Sequence, residues 1–523
     1  MVSGSTSNAS ATPLRWQTLL FVGLSLSIGW GIRGNYGHQW GAALPGALAA
    51  MAAVLISKRD DWVRRIAYFG VFGAAGWAIG ACMAYMVLIA YTHSGHSGSV
   101  LYGFYCLFVV GFLWGAVGGM GTALPAYLSR EKLSQFVVPF IILFIAWWAE
   151  NQFEAHFIDT VPKWHKHSPM DWFDTDWMSA LLTIILIPLR GIIRRKLDWA
   201  ERLIIACAAG WWIGFLILKV GLHVSMAPNK SESWVGNLGL TIALFVYLWR
   251  TGVRGAVLSG AITGVLGGAA FALAVLFKLT EIKSGLDTNW HSVLEQSYGF
   301  MNGVALAIAF IPLFKRAPIA VDEPAVPGFY NGFMVAFLML LLTYLNMWKQ
   351  VTDWTDSKAI KPQMYFLTTA GWFDLFYFLL AATFIWLIRS HLRKPIALVP
   401  QSALGKAQLL FLALNWWMII ANFMKALVSF DKVRLITEGT IFVNGLLVSL
   451  MCLLWANETH EQRVLQSAGY EPLLRRAWAF GALLFAVVPV VCWAGVRAMY
   501  GDQFAGYAGH HYRFGPKAKP TGE

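Results

Sequence analysis

Apolar stretches of membrane-spanning length follow one another along almost the entire chain, and no other feature constrains the fold as strongly. A helix needs roughly 20 such residues to cross the hydrocarbon core of a bilayer. Fifteen stretches are read, at 17–32, 39–57, 66–91, 100–128, 134–153, 175–193, 201–218, 234–249, 255–278, 296–314, 329–348, 364–388, 407–424, 435–456 and 477–498. Each ends at a charged, polar or Gly/Pro-rich break. Only 13% of the residues are charged, against about 25% in soluble domains. That excludes a soluble enzyme, a disordered chain and a disulfide-rich secreted scaffold. The pattern predicts an all-α polytopic integral membrane protein with about 15 transmembrane helices. The second stretch, with Pro45 and many small residues, is either a span or a re-entrant segment.

Lys and Arg accumulate on the cytoplasmic side of membrane proteins. With the N-terminus inside, the inner loops hold 23 of the 40 basic residues and ten acidic ones, whereas the outer side holds 17 of each. The whole net charge of +13 then lies inside. This predicts an N-in, C-out protein in the bacterial cytoplasmic (inner) membrane. Topology thus accounts for the basic balance, and nucleic acid is not an expected partner; membrane lipids are. The five cysteines (Cys82, Cys106, Cys207, Cys452, Cys492) all fall in apolar stretches and are expected as free core thiols, with no metal and no cofactor. The Ser/Thr-rich N-terminal tail lacks a convincing cleavage site, so the first span is read as a retained anchor.

An ordered series of markers predicts two parallel six-helix repeats. Gly29-Trp30 with Gly37-His38 matches Gly210-Trp211 with Leu222-His223, and Gly76 and Gly80 match Gly264 and Gly268. Tyr102-Gly103-Phe104 returns as Tyr298-Gly299-Phe300, Asn151 as Asn346, and Trp172-Phe173-Asp174 as Trp372-Phe373-Asp374. Asn415-Trp416-Trp417 resembles Gly210-Trp211-Trp212 and suggests a truncated third unit. The division is a disordered tail at 1–15, repeats at 16–198 and 199–395, a three-helix C-terminal part at 396–500 and a basic tail at 501–523. Parallel repeats of this kind occur in transporters, with the site between them near the midplane.

Polar residues that a bilayer penalises are the candidate functional groups. Glu150 follows an apolar run from Phe136 to Ala149, which places it about 21 Å from the inner boundary. Asp374 is expected at a comparable depth, and both are candidates for proton or cation coupling. Arg33, His38, Asn151, Lys219, His223 and Asn346 are the candidate substrate-binding residues, at matching levels of related helices in the outer half of the membrane. For Arg33 and Lys219, snorkelling to outer headgroups is the alternative. The segment after Glu150, about 154–174, is a candidate lid. The Gly-rich helices have the small-xxx-small spacing of close helix packing. No P-loop, zinc-protease or nucleophile-elbow motif occurs, so no ATP-driven motor resides in this chain. The leading expectation is a secondary transporter for a small polar or anionic solute. An outward-facing intramembrane transferase or hydrolase acting on a lipid-linked substrate, and a structural subunit of a membrane complex, are the alternatives.

Overall fold

The computed structural model describes residues 16–33, 39–81, 85–94, 96–160, 176–224, 226, 233–319, 327–391, 393, 396, 398–428, 432–460 and 469–501. Among these, nearly every residue is helical, as lipid requires of a chain that must satisfy its own backbone polar groups. The first group of helices is α1 (Trp16–Arg33), α2 (Gln39–Ser57), α3 (Asp60–Val63), α4 (Ile66–Ile79), α5 (Tyr85–Tyr91), α6 (Ser97–Ala123), α7 (Arg130–Ser134), α8 (Val137–Thr160) and α9 (Trp177–Arg194). The second is α10 (Trp199–Gly214), α11 (Ser233–Arg250), α12 (Arg254–Leu279), α13 (Glu281–Ser284), α14 (Trp290–Arg316), α15 (Gly328–Ala336), α16 (Leu342–Asp356) and α17 (Thr369–His391). The chain closes with α18 (Ala403–Val428), α19 (Lys432–Leu454) and α20 (Glu471–Tyr500). A short hairpin, Gln363–Met364 with Leu367–Thr368, precedes α17. Ten of the described helices are long and apolar enough to cross a membrane, and four shorter apolar ones accompany them. This is consistent with an all-α integral membrane protein.

Burial separates a core from a rim. A helix that is apolar all round belongs inside a bundle, and α2 is one: its residues from Ala42 to Leu55 are buried without interruption. Around it stand α1, α4, α14, α16 and α18, with α6 and α12 packed together beyond α4. Gly111 and Gly115 of α6 lie against the carbonyls of Gly267 and Thr263 on α12, an approach that any side chain would prevent. Ser259 Oγ donates to Gly119 O across the same seam at 2.9 Å. In contrast, α17 and α20 present Phe378, Leu379, Trp386, Leu483 and Val491 outward, as lipid-facing helices do.

Two local departures matter for the site. The stretch 66–91, expected as one span, ends as α4 at Ile79 and resumes as α5 at Tyr85. The indole of Trp114 donates to Trp77 O at 2.9 Å. In an uninterrupted helix that carbonyl accepts from Ala81; here the Ala81 N–H turns to Ala78 O. Asn237 Nδ2 of α11 then holds Ala81 O at 2.8 Å. Second, α10 and α15 pass into π-helical turns at Phe215–Gly221 and Phe337–Leu341, a distortion common at functional sites. The second apolar stretch is one continuous helix through Pro45. The expected lid is helical as far as Thr160, and the remainder, 161–175, lies outside the described residues together with the tails 1–15 and 502–523.

Loop contacts gather at two ends. At one, Lys58 pairs with Glu458, Arg59 caps the carbonyls of Ala317 and Pro318 at 3.0 and 2.8 Å, Arg65 reaches Leu128 O, and Tyr127 meets Tyr470 at 2.6 Å. At the other, Tyr102 reaches Met226 O, Asn289 N–H reaches Val433 O, and Tyr500 bonds Leu279 O. The first end carries the basic loops.

Candidate functional site

Where the structure places the sequence candidates varies. Glu150 is 8% exposed on α8, and its Oε2 accepts from Ser179 Oγ of α9 at 2.9 Å. Asp374 is exposed, five residues into α17 and so only about 7.5 Å from that helix's start. Lys219 sits half-buried in the first π-turn, and His223 follows it, exposed, with φ of 52°. Arg33, Asn151 and Asn346 lie on α1, α8 and α16, with side chains outside the described set; His38 lies outside the described residues altogether. Of the four whose side chains are described, no hydrogen bond or ion pair joins one to another. Four of the five cysteines are described, and Cys207, Cys452 and Cys492 are free thiols.

A different polar cluster lies deep in the bundle, where α1, α5, α14, α18 and α19 converge at the end opposite the basic loops. Glu295 of α14, 2% exposed, accepts from Tyr85 Oη of α5 at 3.3 Å and has His291 Nε2 at 3.5 Å. Its neighbour Gln296 donates to Ser292 Oγ and to Thr437 O of α19, both at 3.1 Å. Ser27 of α1 donates to Gln296 O at 2.9 Å. Gly31 lies against the Gln296 side chain, which brings the end of α1, and with it Arg33, to this level. The next residue along α19, Glu438, is 5% exposed and accepts from Asn422 Nδ2 of α18.

One turn below Glu295 the cluster has an aromatic floor. Tyr298 stacks on Phe271 with ring centroids 4.5 Å apart, and Trp30 meets Tyr298 and Trp114 edge-on at 5.0 Å each. Tyr85 leans over Trp114 at 6.3 Å. The interruption between α4 and α5 is therefore adjacent to a buried carboxylate: Trp114 takes a carbonyl from the first half, and Tyr85 comes from the second. Among the described residues, no three His, Cys, Asp or Glu side chains converge as metal ligands. What the arrangement can do is hold and exchange a proton or a small cation between carboxylates and neutral donors in a low-dielectric site.

Sequence reading misses Glu295 by one residue, because it begins the apolar stretch at 296, whereas α14 begins at Trp290. It counts Glu438 with the outer acidic residues although the position falls inside the stretch 435–456. The available signal was the polar run His291-Ser292-Val293-Leu294-Glu295-Gln296 leading directly into an apolar helix. Comparison with family models, curated proteins and solved structures finds no match to this chain.

Proposed function

We propose that the protein is a secondary, non-ATP-driven membrane transporter for a small polar or anionic solute, working through the buried cluster around Glu295. The observation that carries this reading is the interrupted α4–α5 segment beside that carboxylate. Discontinuous helices in secondary transporters supply the site where coupling ion and solute are held. Glu295 joins Glu150 and Asp374 as a candidate for proton or cation coupling, with the stronger environment of the three. Arg33 and Lys219 remain the candidates for an anionic group of the solute, with His38, Asn151, His223 and Asn346 as further contacts.

The finer architecture belongs to the same proposal: fifteen spans, N-in and C-out, as two six-helix repeats over 16–198 and 199–395 with a three-helix part over 396–500. Supporting it, α6 and α14 are each 27 residues long, and α1 and α10 both open on Trp. The 26-residue α12 is continuous where its counterpart is split into α4 and α5. A break in one copy alone makes the cluster asymmetric, as a single site between copies requires.

The test is side-specific accessibility. With native cysteines replaced, a single cysteine at Ser292 is labelled in sealed, oriented vesicles by an impermeant thiol reagent from each side. Labelling from both sides is expected of alternating access. Labelling from the outside alone would move the reading to an outward-facing enzyme on lipid-linked substrates. No labelling from either side would make the cluster structural.

A further inference from the structure

Helix α18 carries Gln408, Asn415 and Asn422 at intervals of seven residues. Seven residues return a side chain to within about 20° of its starting direction, so the three amides form one stripe about 21 Å long. All three are buried, at 0%, 0% and 1% exposure, against α19. At the end near the basic loops, Gln408 Nε2 donates to the carbonyls of Cys452 and Ala456 at 3.0 and 2.9 Å. At the other end, Asn422 donates to Glu438.

Between them, Asn415 lies beside Gly445 of α19, against which Ile419 also packs, and neither its Nδ2 nor its Oδ1 has a hydrogen-bond partner; Gln408 Oε1 also lacks one. Amides are kept inside membranes chiefly because they bond a neighbouring helix. That account fits Gln408 and Asn422 and fails at Asn415. A group lacking both donor and acceptor partners is matched by water, which does both.

We propose that the α18–α19 hairpin is a hydrated proton path leading from the basic-loop end to Glu438, with Gln408 at its mouth and Asn415 as its midpoint station. A hydronium ion at the mouth gives up its proton along the water chain. The Glu438 carboxylate receives it and becomes a neutral carboxylic acid, while water is left behind; release reverses the step. The charged and titratable residues on the elements packed at this level are Glu295 and His291 of α14, Tyr85 of α5, Arg33 of α1, Lys425 of α18, and Lys432 and Arg434 of α19 itself. Helix α2, which also packs on the hairpin, carries no charged residue. The path deepens the transport reading by naming the proton as coupling ion, and in that respect rests on it.

Infrared spectroscopy of the full-length protein in hydrated lipid films tests the path without any solute. In the wild-type minus Glu438→Gln difference spectrum, a carbonyl band of one protonated carboxylic acid that titrates with buffer pH is expected, and it persists when both films also carry Glu295→Gln. Asn415→Leu keeps the band but slows its shift on transfer to deuterated buffer by about tenfold, roughly what one lost hydrogen-bonded station is worth. Asn415→Ser retains a hydroxyl for water and exchanges near the wild-type rate. The proposal is overturned by a wild-type minus Glu438→Gln difference spectrum with no titrating band, by Asn415→Leu exchanging as fast as wild type, or by Asn415→Ser exchanging as slowly as Asn415→Leu. Failure of cysteine labelling at Ser292 leaves all of these readouts interpretable, so the two proposals fail separately.

Discussion

The two ends of the bundle hold buried charge in opposite ways. At the basic-loop end several charges are locked against opposite ones. Arg59, fully buried, forks onto both oxygens of Asp61 at 3.0 and 2.6 Å, caps the end of α14 through Ala317 O and Pro318 O, and covers the Trp62 ring at 4.4 Å. Arg190 pairs with Glu201, and Arg194 with Asp198 at 2.7 Å. At the opposite end, Glu295 and Glu438 have described contacts with a phenol, a titratable imidazole and an amide. Carboxylates at the first end thus serve as rivets with guanidinium partners, whereas those at the second lie among phenol, imidazole and amide groups. The difference teaches that burial of a charge is uninformative until its partners are known, because an opposite fixed charge and burial itself push a carboxylate's ionisation in opposite directions.

The sharpest way to break this contrast is at Arg59. Arg59→Met removes the forked partner of half-buried Asp61 and uncaps two helix-end carbonyls, and a loss of about 3 kcal/mol is expected. Thermal unfolding in detergent measures it. Arg59→Lys should recover little, because an ammonium cannot make the forked contact. A wild-type melting temperature for Arg59→Met would mean that this end is not the rigid one.

The Asp198 clamp should give a smaller, pH-dependent effect. Burial pushes its carboxyl up, but the hydrogen bonds and charges of Arg194 and Lys196 outweigh it and hold the group below the usual carboxylate range. A depressed folded-state pKa stabilises the protein above the unfolded value of about 3.9, and the contribution disappears as pH falls through the folded value. Wild type should therefore melt above Asp198→Asn at neutral pH, and the two curves should converge in acid. Curves that stay parallel would sink the ion-pair account.

Glu295→Gln should cost about 1 kcal/mol or less, since an amide oxygen still accepts from Tyr85; solute-dependent flux, in contrast, should be lost. A stability loss as large as that of Arg59→Met would place Glu295 among the rivets. Asp374→Asn should be the mildest, within about 0.5 kcal/mol, because the group is exposed. A melting shift well beyond that would restore Asp374 to a buried role.

Much of the fold is legible in the chain. Helices occupy the apolar stretches because long runs such as Phe136–Ala149 leave the backbone no other way to satisfy itself in lipid. The Gly-rich faces of α6 and α12 announced close packing and do pack together. Less was legible in the site. Glu150 stood out for its depth along one helix, yet its described partner is a single serine on the next helix. Glu295 and Glu438 were passed over because each stands at the edge of an apolar window, where sequence alone cannot tell a headgroup-level acid from one walled in by four other helices. The interruption at Gly80 was invisible for a related reason: it depends on an indole 37 positions away taking one carbonyl.

What the sequence determined by itself is the material of each segment: which residues form apolar helices, which loops carry the positive charge, and which glycines permit close approach. Those are local properties, set by side-chain hydrophobicity and backbone sterics over one or two turns. Tertiary structure alone decided which polar residues share a space. Gln296 finds Thr437 O, Tyr85 finds Glu295 and Asn237 finds Ala81 O because helices far apart in the chain were packed side by side, and a polar group's partners in a low-dielectric interior are whatever that packing brings within hydrogen-bonding distance.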